Sequence, residues 1–222
     1  IDLDIVTGSG DITIDDRVAD IKAKTGSGDV EIENAQGAVQ ISTGSGDALL
    51  GSIKGKVEFS AGSGDLSAEE IKGDLEVSTG SGDVAVETCS GGITISTSSG
   101  DIKIGSSQGL VEASAGSGDI RFESHSGSAE IVTSSGSIKF GAALAGASVD
   151  LRTSSGDIVV DLYEVDSYDV LLETTSGTIE STVPLVVHKA TRRTLKGRYG
   201  DGELRIRAKT ISGDIRLRRG AV

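Results

Sequence analysis

Apolar and polar residues alternate with period two along most of the chain, in short stretches separated by glycine-rich corners. From Asp29 to Gly46, Val30 and Ile32 are apolar beside Glu31 and Glu33, Asn34 to Ala38 read as a turn, and Val39 and Ile41 alternate with Gln40 and Ser42. Such alternation marks a half-buried strand, so the segment predicts two short strands. The segment also recurs. The string T-G-S-G-D, or a close variant, places a glycine at positions 10, 28, 46, 64, 82, 100, 118 and 136, which gives seven successive intervals of 18. Gly156 and Gly177 follow at intervals of 20 and 21, and Gly213 comes 36 further on, twice the basic repeat.

Aligning the repeats gives four apolar columns. The first runs from Ile12 through Val30, Ala48, Leu66, Val84, Ile102 and Ile120 to Ile138, and the second from Ile14 through Ile32, Leu50, Ala68, Val86, Ile104 and Phe122 to Phe140. The third begins Ile21, Val39, Val57, Leu75, and the fourth contains Ile41, Phe59, Val77 and Ile95. Two strands cannot bury an apolar face alone, but stacked repeats enclose a continuous core. The expected fold is therefore all-β: a single-domain parallel β-solenoid over 1–222, built of two-strand rungs of 18 residues. It is expected to be right-handed, as parallel crossovers nearly always are. Regular rungs occupy about 1–140, rungs with insertions (Ala142 to Gly146, Leu162 to Tyr168) occupy 141–183, and 184–222 is expected to cap the stack. Ile1, Leu3 and Ile5 fall in the phase of a second strand, so the chain is expected to open on a half-rung, with its native precursor continuing upstream. A hexapeptide β-helix is excluded, because six residues after Val30 and Ala48 stand Gln36 and Lys54 where that fold needs aliphatic residues.

Composition sharpens this picture. The chain has 32 glycines and one proline, which suits turns and neither collagen nor a disordered linker. Its apolar residues are mostly Ile, Val, Leu and Ala, the vocabulary of strands. No apolar run approaches the ~18 residues of a helical membrane span. Cys89, the single cysteine, cannot form an intramolecular disulfide, and it leaves the redox compartment open. The net charge of −13 is unevenly spread: residues 1–188 carry −21 and residues 189–222 carry +8. An acidic bulk argues against nucleic acid as a partner, since phosphate neutralisation needs clustered Lys and Arg.

Three features are candidates for chemistry. The Gly-Ser-Gly-Asp corners would stack Asp11, Asp29, Asp47, Asp65, Asp83, Asp101 and Asp119 in a row at ~4.8 Å, where each must be hydrogen-bonded or countered by cations. Turn capping is the expected role, with a metal ladder as its competitor. A second row, Glu58, Glu76, Glu112, Glu130 and Asp150, lies on the outward face beside Ser42, Ser60, Ser78, Ser96 and Ser114. It is either a solvated face or a strip for a basic or sugar partner. The basic end, with Arg192, Arg193, Arg198, Arg216 and Arg218, either offsets the acidic body or docks an acidic partner: anionic lipid, anionic polymer, or another copy in head-to-tail or edge association. The threonines at 25, 43, 79, 97 and 133 share the inward phase and read as corner fillers, as does His125. No Ser, His and Asp grouping can be argued, and no cofactor is implied.

The repeated T-G-S-G-D-(V/I)-x-(V/I) units, together with Thr175-Ser-Gly-Thr-Ile-Glu-Ser-Thr-Val-Pro184, Lys196-Gly-Arg-Tyr-Gly-Asp-Gly-Glu-Leu and Lys209-Thr-Ile-Ser-Gly-Asp-Ile-Arg-Leu217, resemble a bacterial adhesin-like family of β-strand-repeat proteins. The resemblance covers almost the whole chain. It implies a β-solenoid in the bacterial cell envelope or on its surface, and it transfers no functional residue. The expected function is a non-enzymatic surface scaffold or adhesin-like binding protein. The alternatives are a polysaccharide-active β-helix enzyme and a calcium-dependent repeat module. Calcium-binding nonapeptide repeats need Gly and Asp at both corners, whereas the second corner here reads Asn34-Ala-Gln-Gly, Ser52-Ile-Lys-Gly and Glu70-Ile-Lys-Gly.

Overall fold

The computed structural model describes residues 2–143 and 147–220. Its backbone gathers into two compact units, Ile1–Gln108 and Gly109–Val222.

In the first unit, β1 (Leu3–Thr7), β2 (Ile12–Ile14), β3 (Ile21–Thr25), β4 (Val30–Gln36), β5 (Val39–Thr43), β6 (Ala48–Lys54), β7 (Val57–Ala61), β8 (Leu66–Ile71), β9 (Leu75–Thr79), β10 (Val84–Cys89) and β11 (Ile93–Ser99) follow one another, and the opening residues of β12 (Ile102–Ser117) complete it. The odd strands β1 to β11 form one parallel ladder. The even strands β2 to β12 form another. Each residue faces the one 18 positions on, as Val57 faces Leu75 and Val84 faces Ile102. This is the parallel β-solenoid that the repeat predicts, with the apolar columns buried between its walls. Burying one Val, Leu or Ile contributes roughly 1.5–3 kcal/mol, and every complete coil of this unit adds at least three such positions.

The corners explain why glycine recurs. A Cβ on Gly82 would lie 1.9 Å from the carbonyl oxygen of Gly64, so one coil's backbone occupies the space a side chain of the next would need. The inward threonines lock the same corners. Thr25 and Thr43 accept the N–H groups of Gly28 and Gly46 at 2.9 and 2.8 Å. Thr79 and Thr97 donate their hydroxyls to the carbonyls of Gly64 and Gly82 in the preceding coil.

The second unit holds β13 (Ile120–Ser135), β14 (Ile138–Ala142), β15 (Ser148–Ser155), β16 (Ile158–Leu162), β17 (Tyr168–Ser176), β18 (Ile179–Ser181), β19 (Val186–Ala190), β20 (Thr194–Tyr199), β21 (Leu204–Ser212) and β22 (Ile215–Arg219). Here spatial order departs from chain order. One parallel ladder runs β13–β15–β21–β17, and the other runs β13–β14–β16–β22–β18. The last coil of the chain, β21 with β22, is thus intercalated between the two coils that precede it in sequence. The free side of β17 is covered by β20, antiparallel to it, and β19 pairs antiparallel with β20.

This corrects the expectation that 184–222 as a whole closes the stack. Only the β19–β20 hairpin lies at the edge. Leu204, Ile206, Ala208 and Thr210 are buried in the same alternation as any other rung, and both edges of β21 find parallel partners. A strand that satisfies hydrogen bonds on both sides is a better interior element than a cap. His125 is buried against Phe122 and Phe140, with ring centroids 6.2 and 5.6 Å away, as a corner filler would be. Of the Ala142 to Gly146 insertion, residues 144–146 lie outside the described residues, as does Ile1 in the opening half-rung.

Candidate functional site

The Asp row is a hydrogen-bonded spine. The backbone N–H of Asp29 donates to Asp11 Oδ1 at 3.0 Å, and the same bond links Asp47 to Asp29, Asp65 to Asp47, Asp83 to Asp65 and Asp101 to Asp83 at 2.7–2.9 Å. Each carboxylate therefore caps the next coil's corner. This relieves the repulsion that stacked carboxylates would otherwise suffer. Among the described residues no group of three or more His, Cys, Asp or Glu side chains converges as a metal site would require.

In the second unit the spine follows the intercalated order. Asp157 Oδ1 accepts the N–H of Asp214 at 2.8 Å, and Asp214 Oδ1 accepts both the N–H and the hydroxyl of Thr178, each at 2.8 Å. Thr178 stands in the Asp column of the coil that has no parallel coil beyond it, so no carboxylate is needed there. Ser137 also breaks the Asp column, in an interior coil, where its hydroxyl accepts the N–H of Asp157 at 3.3 Å.

The outward acidic row is only partly acidic in its surroundings. Glu58 and Glu76 face each other in register on β7 and β9, and Lys56 reaches between them, its Nζ 2.5 Å from Glu58 and 2.9 Å from Glu76. Lys56 hydrogen bonds hold the Glu58 carboxyl below its ordinary range, and the two glutamates push the Lys56 ammonium up. Gln40 donates to Glu58 at 3.0 Å, and Ser42, Ser60, Ser78 and Ser96 form the neighbouring row in register. Between the rows runs a shallow polar gutter of about 390 Å³. In the second unit, Glu112 is exposed on β12, while Glu130 and Asp150 pair in register and share Arg152, at 3.3 and 2.6 Å. Lys56 and Arg152 are the countercharges that the sequence reading missed. Both lie within two residues of a row member, a spacing that puts side chains on one face of a strand.

The five arginine candidates are not brought together. Arg198 binds Asp169 at 2.8 Å, Arg216 bridges Asp157 and Asp214 at 3.2 and 3.0 Å, and Arg218 holds the almost fully buried Asp161 at 2.5 Å. These three serve the rungs. Arg192 and Arg193 sit in the turn of the β19–β20 hairpin and, among the described residues, form no ion pair. With Thr175, Ser176, Thr178 and Thr191 they line a cavity of about 500 Å³.

The coil geometry, the 18-residue register and the intercalated end describe the fold fully enough to be compared with known families. A model of the Toastrack DUF4097 domain matches residues 1–114 and again residues 94–218, so that the two matches together take in nearly the whole chain. The chain belongs to the Toastrack DUF4097 family. Toastrack is a β-solenoid repeat domain of unknown function, so membership fixes the architecture and names no ligand. No curated protein and no solved structure matches this Toastrack chain.

Proposed function

We propose that this Toastrack protein is a non-catalytic scaffold of the cell envelope or surface, adhesin-like in that it binds an extended glycan along the outward face of β5, β7 and β9. The observation that carries the reading is the gutter between Gln40, Glu58 and Glu76 on one side and Ser42, Ser60 and Ser78 on the other. Its hydrogen-bonding groups repeat at one coil spacing, ~4.8 Å, along a straight line. A ladder of polar groups at a fixed spacing suits a polymer that is itself periodic. The amide, hydroxyl and carboxylate groups present are those that pair with sugar hydroxyls.

A glycan array probed with the whole chain, run beside a depolymerisation assay on the retained polysaccharides, tests the proposal. Retention of a defined set of polymers, lost in S60K/S78K, is the expected result. The lysines would fill the gutter from exposed positions and leave the core untouched. Cleavage of any retained polymer would replace the scaffold reading with a catalytic one, and an array without signal would end the glycan reading.

A further inference from the structure

The cavity at the hairpin turn has a composition that distinguishes it from the rest of the surface. It forms where β17 leaves the hairpin for the Thr175–Thr178 corner and the turn from Thr191 to Arg193 folds over that corner. The turn is anchored. The N–H of Thr174 donates to the Arg193 carbonyl at 3.0 Å, the N–H of Thr191 donates to the Thr194 carbonyl at 2.8 Å, and Thr191 Oγ1 accepts the N–H of Arg193 at 3.2 Å. On the opposite wall, Asp214 holds Thr178 by backbone and side chain.

No carboxylate lines this cavity. Asp214, the acid bound to Thr178, is already paired with Arg216 at 3.0 Å. Arg192 and Arg193 therefore present two guanidinium groups that meet no carboxylate among the described residues. Elsewhere in the same unit, Arg152, Arg198, Arg216 and Arg218 each have a carboxylate within 3.3 Å. Arg205 and Arg207, exposed on β21, form no ion pair among the described residues either, so what sets Arg192 and Arg193 apart is the cavity they share with hydroxyl groups. Two exposed guanidinium groups beside hydroxyls, with no carboxylate in the cavity lining, form a donor set that an external oxyanion can complete.

We propose that this cavity binds a phosphate group. Two guanidinium forks and the hydroxyls of Thr175 and Ser176 offer more donors than the two oxygens of a carboxylate can take, whereas the three or four oxygens of a phosphate match them. The site is independent of the glycan gutter, which lies in the other unit, so either reading can fail without the other.

Isothermal titration of the whole chain with inorganic phosphate is the primary test, repeated for R192Q/R193Q, for R192K/R193K and for a charge-matched control, K189Q/R219Q. Both arginines are exposed and make no side-chain bond, so circular dichroism should be unchanged in all variants. The expected result is saturable binding that weakens at least tenfold in R192Q/R193Q, weakens less in the lysine variant because charge is kept and the fork lost, and survives in the control. Titrations with glycerol phosphate, and with vesicles carrying phosphatidate, separate a free or polymer-borne phosphate from a lipid headgroup; binding of any of the three, lost in R192Q/R193Q, supports the site. The proposal is overturned by absence of binding to all three, by equal loss in the control, or by acetate binding as tightly as phosphate.

Discussion

Asp157 accepts the backbone N–H of Asp214, 57 residues further along the chain, in the same 2.8 Å bond by which Asp65 accepts that of Asp83, 18 residues further along. One interaction thus builds the regular coils and also secures the coil that is threaded out of order. Asp214 in turn takes the N–H and hydroxyl of Thr178, and these hold its carboxyl below the usual aspartate range. A depressed folded-state pKa contributes stability that is fully present above the unfolded value of about 3.9 and is lost as pH falls through the lower folded value. The D214N variant should therefore melt below the wild type at neutral pH, and the gap should narrow as pH drops below about 4. Melting curves from pH 7 to pH 2 check this, and a gap that stays constant throughout would contradict it.

Coil spacing leaves no room at the glycine corners. The G82A variant places a methyl 1.9 Å from the Gly64 oxygen, whereas the methyl of G8A meets nothing within 4 Å. Urea unfolding should show a loss of about 3 kcal/mol or more for G82A and near-neutrality for G8A.

Thr210 is fully buried and its hydroxyl donates to the Gly156 carbonyl at 3.0 Å, tying the intercalated coil to the coil below. T210V keeps the shape and removes the donor, so its expected cost is about 1 kcal/mol, measured by chemical denaturation. T210A should cost more, since it also leaves a void.

Asp161 is almost fully buried on β16, with Lys139 at 3.9 Å on the preceding coil and Arg218 at 2.5 Å on β22, which lies beside β16 only because it is intercalated. A double-mutant cycle of D161N and R218Q should give a coupling of about 1 kcal/mol, modest because the arginine side is half exposed. A coupling indistinguishable from zero would mean that the pair does not help to hold β22 in place.

Much of this protein was legible in its sequence because a parallel solenoid reads its own period. Ile12, Val30, Ala48 and Leu66 repeat at 18 since each must face the same core, and Gly46, Gly64 and Gly82 repeat because each must let a neighbouring carbonyl pass. The acidic and serine rows followed from the same register. What the period could not tell was which coil stacks on which. Parallel backbone pairing is indifferent to chain order, and Gly213, two repeats beyond Gly177, fits a sequential stack as well as the real one. Only the tertiary structure decided that β21 and β22 pass between β15–β16 and β17–β18, because the hairpin of β19 and β20 takes the outer side of β17 and returns the chain to the inner side. The same threading decided the fate of the arginines. It set Arg216 and Arg218 beside carboxylates more than 50 residues away in sequence and left Arg192 and Arg193, in the turn outside the coils, without any. Charge composition is a property of the sequence, but which charges remain unspent depends on the distances that folding creates.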